Sequence, residues 1–235
     1  MRLLDEATAL RRLRTQADER TEELIASVFT ALFGNIESAA SKLPKRALGD
    51  LCEILSGATP STENPDFWAG SIPWVSAKDM KRSEIIDAID HVSEAALQAS
   101  RLKLLPAGAV LVVVRGMILA HTFPVALSTT PLTINQDLKA LICRDELVPL
   151  YLQQCLRGFA PRILAAASTA GHGTKRLETE SLRNLPIPVP PMKAQQAFSA
   201  RVAEIRALEA EQATSRQRLD DLFQSLLHRA FSGDL

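Results

Sequence analysis

Apolar residues recur at steps of three and four, or multiples of these, near the start of the chain: Leu3, Ala7, Leu10, Ala17, Leu24, Val28 and Ala31. This heptad-like stripe predicts a helix whose other faces carry Arg11, Arg12, Asp18, Glu19, Glu22 and Glu23. Neither Gly nor Pro interrupts the run before Gly34-Asn35, which supplies a helix stop. Such a helix would be roughly 45 Å long. A second run without Gly or Pro extends from Lys193 to Phe231, with Phe198, Val202, Ile205, Leu219, Phe223 and Leu226 on one stripe. Pro190 and Pro191 stand just ahead of it, where proline suits a helix start.

The two segments also resemble each other. A shift of 198 residues aligns Leu10 with Leu208, Arg20 with Arg218, Leu24 with Leu222, Ser27 with Ser225 and Phe33 with Phe231, and each segment closes with an aromatic and a glycine. We read this as an internal repeat. Neither stripe is purely apolar, since Arg14, Glu209 and Arg216 fall on the register, which leaves room for a further partner.

Between the helices the pattern changes, and residues 44–191 hold nearly all the Pro and Gly. Short apolar runs, VLVVV at 110–114 and LKALI at 138–142, predict buried strands, whereas 149–168 has helical periodicity interrupted by Gly158 and Pro161. The expected fold class is α+β: a helix over 1–43, one mixed α/β domain over 44–191 and a helix over 192–235. Helices that leave and enter the same domain are expected to pack as an antiparallel coiled coil of fixed length.

A chain of 235 residues with 46% hydrophobic content can bury a substantial core. Its 27 Lys and Arg balance 27 Asp and Glu, so any nucleic-acid surface must arise from local segregation of charge. Cys52, Cys143 and Cys155 are odd in number and lack CxxC spacing, which suggests neither a disulfide framework nor a zinc site. Asp5, Glu6 and four arginines stand in the opening MRLLDEATALRRLR, where a signal peptide needs an apolar stretch, and the apolar runs elsewhere are too short to span a bilayer. These features lead us to expect a cytoplasmic protein without a membrane partner.

The polar residues offer few catalytic leads. Asn64-Pro65-Asp66-Phe67 approaches the Asn-Pro-Pro-aromatic motif of amino-methyltransferases, but no Gly-rich turn after a strand accompanies it, and Asn-Pro readily initiates turns. His91 and His172 stand apart from carboxylates or cysteines at ligand spacing, so no metal site is expected. The segment 168–177 is different: Gly171 and Gly173 allow close backbone approach, while Ser168, Thr169, His172, Thr174, Lys175 and Arg176 offer polar groups to phosphates or base edges. An ordinary solvated turn has the same composition. Ser76, Lys78, Lys81 and Arg82 follow Trp74 and form a second candidate edge, although charges after a strand are usually just solvated. Arg115 ends the VLVVV run, either as a site residue or in an ion pair with a carboxylate such as Asp137. His121 and Thr122 are further candidates, whereas Asn135, Gln136 and Asp137 read better as structural hydrogen-bonding groups.

Four blocks carry a family resemblance: LGDLCEILSGATPSTENPDFWAGSIPWVSAKDM at 48–80, LLPAGAVLVVVRGMILAHTFPVAL at 104–127, LTINQDLKALI at 132–142 and GTKRLETESLRNLPIPVPP at 173–191. In content, order and spacing the centre resembles the target-recognition domain of Type I restriction-modification specificity subunits, and the flanking helices resemble that family's spacers. The resemblance implies a non-catalytic subunit that reads double-stranded DNA through the candidates above, with Arg115 matching the family's VVVR element. Typical members carry two recognition domains and this chain carries one, which implies a homodimer reading a bipartite inverted repeat. It further implies docking of modification methyltransferase subunits that bring S-adenosylmethionine, with a restriction translocase using ATP and Mg as a further partner. No cofactor is expected in this chain itself. A rival reading is a degenerate interaction module that acts through its coiled coil without reading DNA.

Overall fold

The computed structural model describes residues 20–38, 43–169 and 174–232, which form a mixed α/β structure. The chain divides into two compact units, one made of Met1–Leu32 with Ala197–Leu235 and the other of Phe33–Gln196.

Residues 20–33 form helix α1, while 1–19 of the expected helix lie outside the described residues. It stops where expected: Gly34 takes φ 69°, a left-handed conformation that favours glycine. The buried face differs from the expected stripe. Ile25 and Phe29 are buried, whereas Leu24 is half exposed and Ala31 faces solvent. Apolar residues occupy two adjacent faces of this helix, and the bulkier pair takes the packed one. Phe29 meets Phe198 edge to face, with ring centroids 5.4 Å apart at 80°. Phe198 and Val202, one turn apart on α7 (Met192–Ser232), are both fully buried.

The larger unit is organised by a five-stranded sheet of order β2-β10-β6-β8-β4. Its strands are β2 (Cys52–Ser56), β4 (Glu84–Ile85), β6 (Val110–Val113), β8 (Val125–Ser128) and β10 (Leu138–Cys143). All four residues of β6 are buried, which explains an uninterrupted apolar run where a half-exposed strand would alternate. β4 joins β8 in parallel; the other neighbours pair antiparallel.

Helix α4 (Pro149–Gly158) packs on β6 and β8 and buries Tyr151, Leu152, Cys155 and Leu156 completely. The predicted interruption is real, because Gly158 ends α4 and α5 (Ala160–Ala166) restarts with a proline in its first turn. A second sheet, of order β5-β3-β9, joins β3 (Ile72–Val75), β5 (Asp90–Val92) and β9 (Thr133–Ile134). A smaller core of Trp74, Val92, Ala96 and Leu102 lies beside it, with Trp68 set edge to face on Trp74 at 5.0 Å. Asn64 caps the short turn Pro65–Phe67 by accepting the Asp66 N–H at 3.1 Å, the turn-forming role its sequence suggested.

Two short strands, β1 (Lys45–Ala47) and β13 (Pro186–Pro188), pair antiparallel at the two ends of this unit. Just beyond β13 the fully buried Gln195 side chain ties three segments together. Its Oε1 accepts the Val148 N–H at 2.9 Å, and its Nε2 donates to Pro190 O at 2.9 Å and Glu146 O at 3.1 Å. Substitution by leucine strands these buried groups without partners, at a cost of about 3 kcal/mol. We expect Gln195→Leu to lower the urea midpoint with little change in the slope, while Gln196→Leu at the exposed neighbour stays close to wild type.

Candidate nucleic-acid interface

The buried run of β6 leaves the core at Val114, and the next residues are handed from one sheet to another. The Asp137 carbonyl accepts both the Val114 N–H, at 2.8 Å, and the Arg115 N–H, at 3.2 Å, while Val114 O accepts the Leu177 N–H at 2.8 Å. Arg115–Gly116 thereby becomes β7, the edge of a small antiparallel sheet of order β11-β12-β7 with β11 (Ser168–Thr169) and β12 (Lys175–Arg176). Its register sets Arg176 opposite both Arg115 and Ser168, and Lys175 opposite both Gly116 and Thr169. Five of the predicted site residues, from two distant parts of the chain, thus share one ribbon. Gly171, His172 and Gly173 lie outside the described residues, and Thr174 is half-buried just before β12.

The polar contacts on this ribbon are light. Lys175 Nζ donates to Thr169 Oγ1 at 2.9 Å, and Ser168 Oγ donates to Arg176 O at 3.3 Å. Arg176 Nε lies 3.2 Å from Glu178 Oε1 with both side chains more than half exposed, and Arg115 Nε lies 3.8 Å from Asp137 Oδ1. The Arg115–Asp137 ion pair raised from sequence therefore exists, but the Arg115 side chain is 59% exposed. Exposed pairs of this kind contribute about 0–1 kcal/mol, so either guanidinium can exchange its partner for another anion. Lys139, the second residue of β10, belongs to the same electropositive patch: burial, and then the charge of Arg176, hold its pKa below the usual lysine value. Sequence reading missed Lys139 because it sits inside a run read as a buried strand; its polarity between buried Leu138 and Ala140 was the available signal.

Strand register brings the second candidate segment to the same end of the large sheet. Val113 pairs with Leu138, Lys139 with Ser56 and Val112 with Val125, so the end of β6 lies level with the starts of β10 and β8 and the end of β2. Glu84 pairs with Leu127 and β4 runs parallel to β8, so Arg82 enters level with Val125 at that end. At about 4.8 Å between strands, this edge spans about 19 Å. Lys81 and Arg82 are exposed, and although the Lys81 N–H closes the turn on Asp79 O at 2.8 Å, neither side chain forms a hydrogen bond or ion pair among the described residues. Ser76 differs from expectation in being nearly buried, with its N–H and Oγ both bonded to Asp79 Oδ2, at 2.9 and 3.1 Å. Lys78 is held by Asp90 at 2.6 Å, and this hydrogen bond raises its pKa. These two residues shape the turn that presents Lys81 and Arg82.

His121 and Thr122 are exposed, with both N–H groups on Ile118 O at 3.0 and 2.9 Å, closing the 3-10 turn Met117–Ala120. That turn packs beside β12. Asn135 is buried and accepts the Asp137 N–H at 3.1 Å, in keeping with the structural reading of INQD. No cluster of three His, Cys, Asp or Glu suited to a metal occurs among the described residues.

Residues 41–215 match the family described as the Type I restriction modification DNA specificity domain. The chain belongs to the Type I restriction-modification specificity-subunit family. This specificity-subunit chain is 36% identical over 161 residues to the EcoR124I/EcoR124II specificity subunit of Escherichia coli, covering 68% of this chain and 39% of that protein. It is 28% identical over 170 residues to the MjaIX specificity subunit of Methanocaldococcus jannaschii, covering 69% and 38%. Among solved structures, the HsdS subunit of Thermoanaerobacter tengcongensis is similar at a TM-score of 0.57 and 25% identity, over 99% of this chain and 56% of that one. The chain thus spans about two fifths of the length of these curated relatives.

Gly116 joins the charged edge of this specificity-subunit chain to the 3-10 turn. Its φ of 147° and ψ of 166° place it in a region that only glycine occupies readily. We expect Gly116→Ala to destabilise the protein by about 1–3 kcal/mol in urea unfolding.

Proposed function

We propose that this chain is a sequence-reading subunit that binds double-stranded DNA along the end of the five-stranded sheet and adds no catalytic group of its own. The observation that carries the reading is the register that sets Arg115, Lys175 and Arg176 on one exposed ribbon, with Lys139 beside it and Lys81 and Arg82 at the same sheet end. An edge about 19 Å wide suits a major groove about 12 Å across together with its flanking phosphates. In this reading the arginines reach guanine edges or phosphates, Thr169, His121 and Thr122 supply shorter polar contacts, and Gly171, His172 and Gly173 are further contact candidates.

The chain pairs with a second copy of itself on a bipartite inverted repeat, its α1 and α7 helices forming an antiparallel coiled coil that sets the distance between half-sites. The paired helices dock methyltransferase subunits that bring S-adenosylmethionine, and a translocating restriction subunit that uses ATP and Mg. Support for these partners comes from family membership and from the internal repeat of the two helical segments.

Lys175→Ala combined with Arg176→Ala is expected to weaken DNA binding at least tenfold and to reduce the salt slope by about two if both contact phosphate. A folded double mutant with unchanged affinity and selectivity contradicts the assignment and favours an interaction module. Light scattering at micromolar concentration is expected to give a particle near twice 25.6 kDa; a stable monomer contradicts pairing in the isolated protein.

A further inference from the structure

The turn that follows Arg115 carries an unexpected pair of apolar side chains. Met117 is 71% exposed and Ile118 is 37% exposed, whereas Leu119 of the same turn is only 2% exposed. A flexible loop could hide such side chains, but this one is fixed. Leu119 anchors it in the core, two N–H groups close on Ile118 O, and Gly116 sets its direction. Charge frames the pair, with Arg115 on one side and Lys175 and Arg176 on the adjacent strand against which the turn packs.

An apolar surface set among cations is poorly matched to an apolar protein face, because burying those cations would cost more than the contact returns. It suits a polyanion that carries local apolar groups. In duplex DNA the major groove offers one such group, the C5-methyl of thymine. We infer that Met117 and Ile118 read thymine by contact with this methyl group, next to the arginines that read or grip its neighbours. The inference rests on the DNA-reading function proposed above and assigns it a specificity-determining pair outside the polar candidates. Excluding water from one methyl changes affinity about fourfold.

The test uses the whole 235-residue chain and a randomised duplex library. The preferred site is selected with wild type, and each thymine is then replaced singly by uracil, which removes only the methyl. Wild type is expected to lose about fourfold at one or two positions. Met117→Ala combined with Ile118→Ala, checked for folding by circular dichroism, is expected to bind the parent site more weakly and to respond little to those same replacements. Equal responses of wild type and variant at every position, or indifference of wild type to all uracils, overturn the inference and leave DNA reading intact. A variant that kinks the site less, seen as a smaller 2-aminopurine signal with equal uracil responses, overturns it in favour of a wedge between base pairs. Failure of wild type to select any site overturns DNA reading itself, and this inference with it.

Discussion

A single backbone carbonyl governs the geometry of the charged sheet end. The β6 run must end somewhere, and the N–H groups of Val114 and Arg115 need acceptors as they leave the core. Asp137 O takes both, while Val114 O takes Leu177 N–H, so the chain passes from the large sheet to the small one without an unpaired polar group. Everything outward of that point inherits its position: Arg115 on its edge, Arg176 opposite it, and the turn that Gly116 starts. The carbonyl is itself held, because Asn135 Oδ1 fixes the Asp137 N–H. Short polar residues between two apolar runs here act as the hinge pin of a site made of other residues.

The chain has no net charge, yet one sheet end gathers cations. Segregation is achieved by strand order rather than by a basic sequence block. Positive residues precede β4, follow β6, make up β12 and stand second in β10, while Asp79 and Asp90 are spent on Ser76 and Lys78. Weak, exposed pairing of Arg115 and Arg176 leaves their charge available to another anion at little desolvation cost.

Elements whose signal is local were readable in advance. β6 and β10 announced themselves as apolar runs, α4 and α5 as a helix broken at Gly158, and α7 as a stretch without Gly or Pro led by Pro190-Pro191. Strands of two residues carry no period, so β7, β11 and β12 were invisible, although the residues on them were chosen for their chemistry. The convergence of Arg82 with Arg115 depends on a parallel pairing of β4 with β8, a non-local choice that no window of sequence contains. On α1 the period was right but the face was shifted by one residue, since Leu24 and Ile25 both continue an apolar series and only packing against Phe198 selects between them. Lys139 was hidden for the opposite reason, being one polar residue in a run dominated by its apolar neighbours.

The pairing of β1 with β13 bears on how such a protein can change. Lys45 faces Pro188, Ala47 faces Pro186, and Val189 N–H closes on Pro44 O at 2.8 Å, so the chain that opens this unit and the chain that closes it are immediate neighbours. Such proximity of ends is the property that makes a domain insertable into another chain. Backbone groups make this clasp, so it asks little of side-chain identity and nothing of the sequence it encloses. Recombination at these two strands would exchange the whole enclosed domain, with the charged sheet end it carries, in one event while the flanking helical segments stay unchanged.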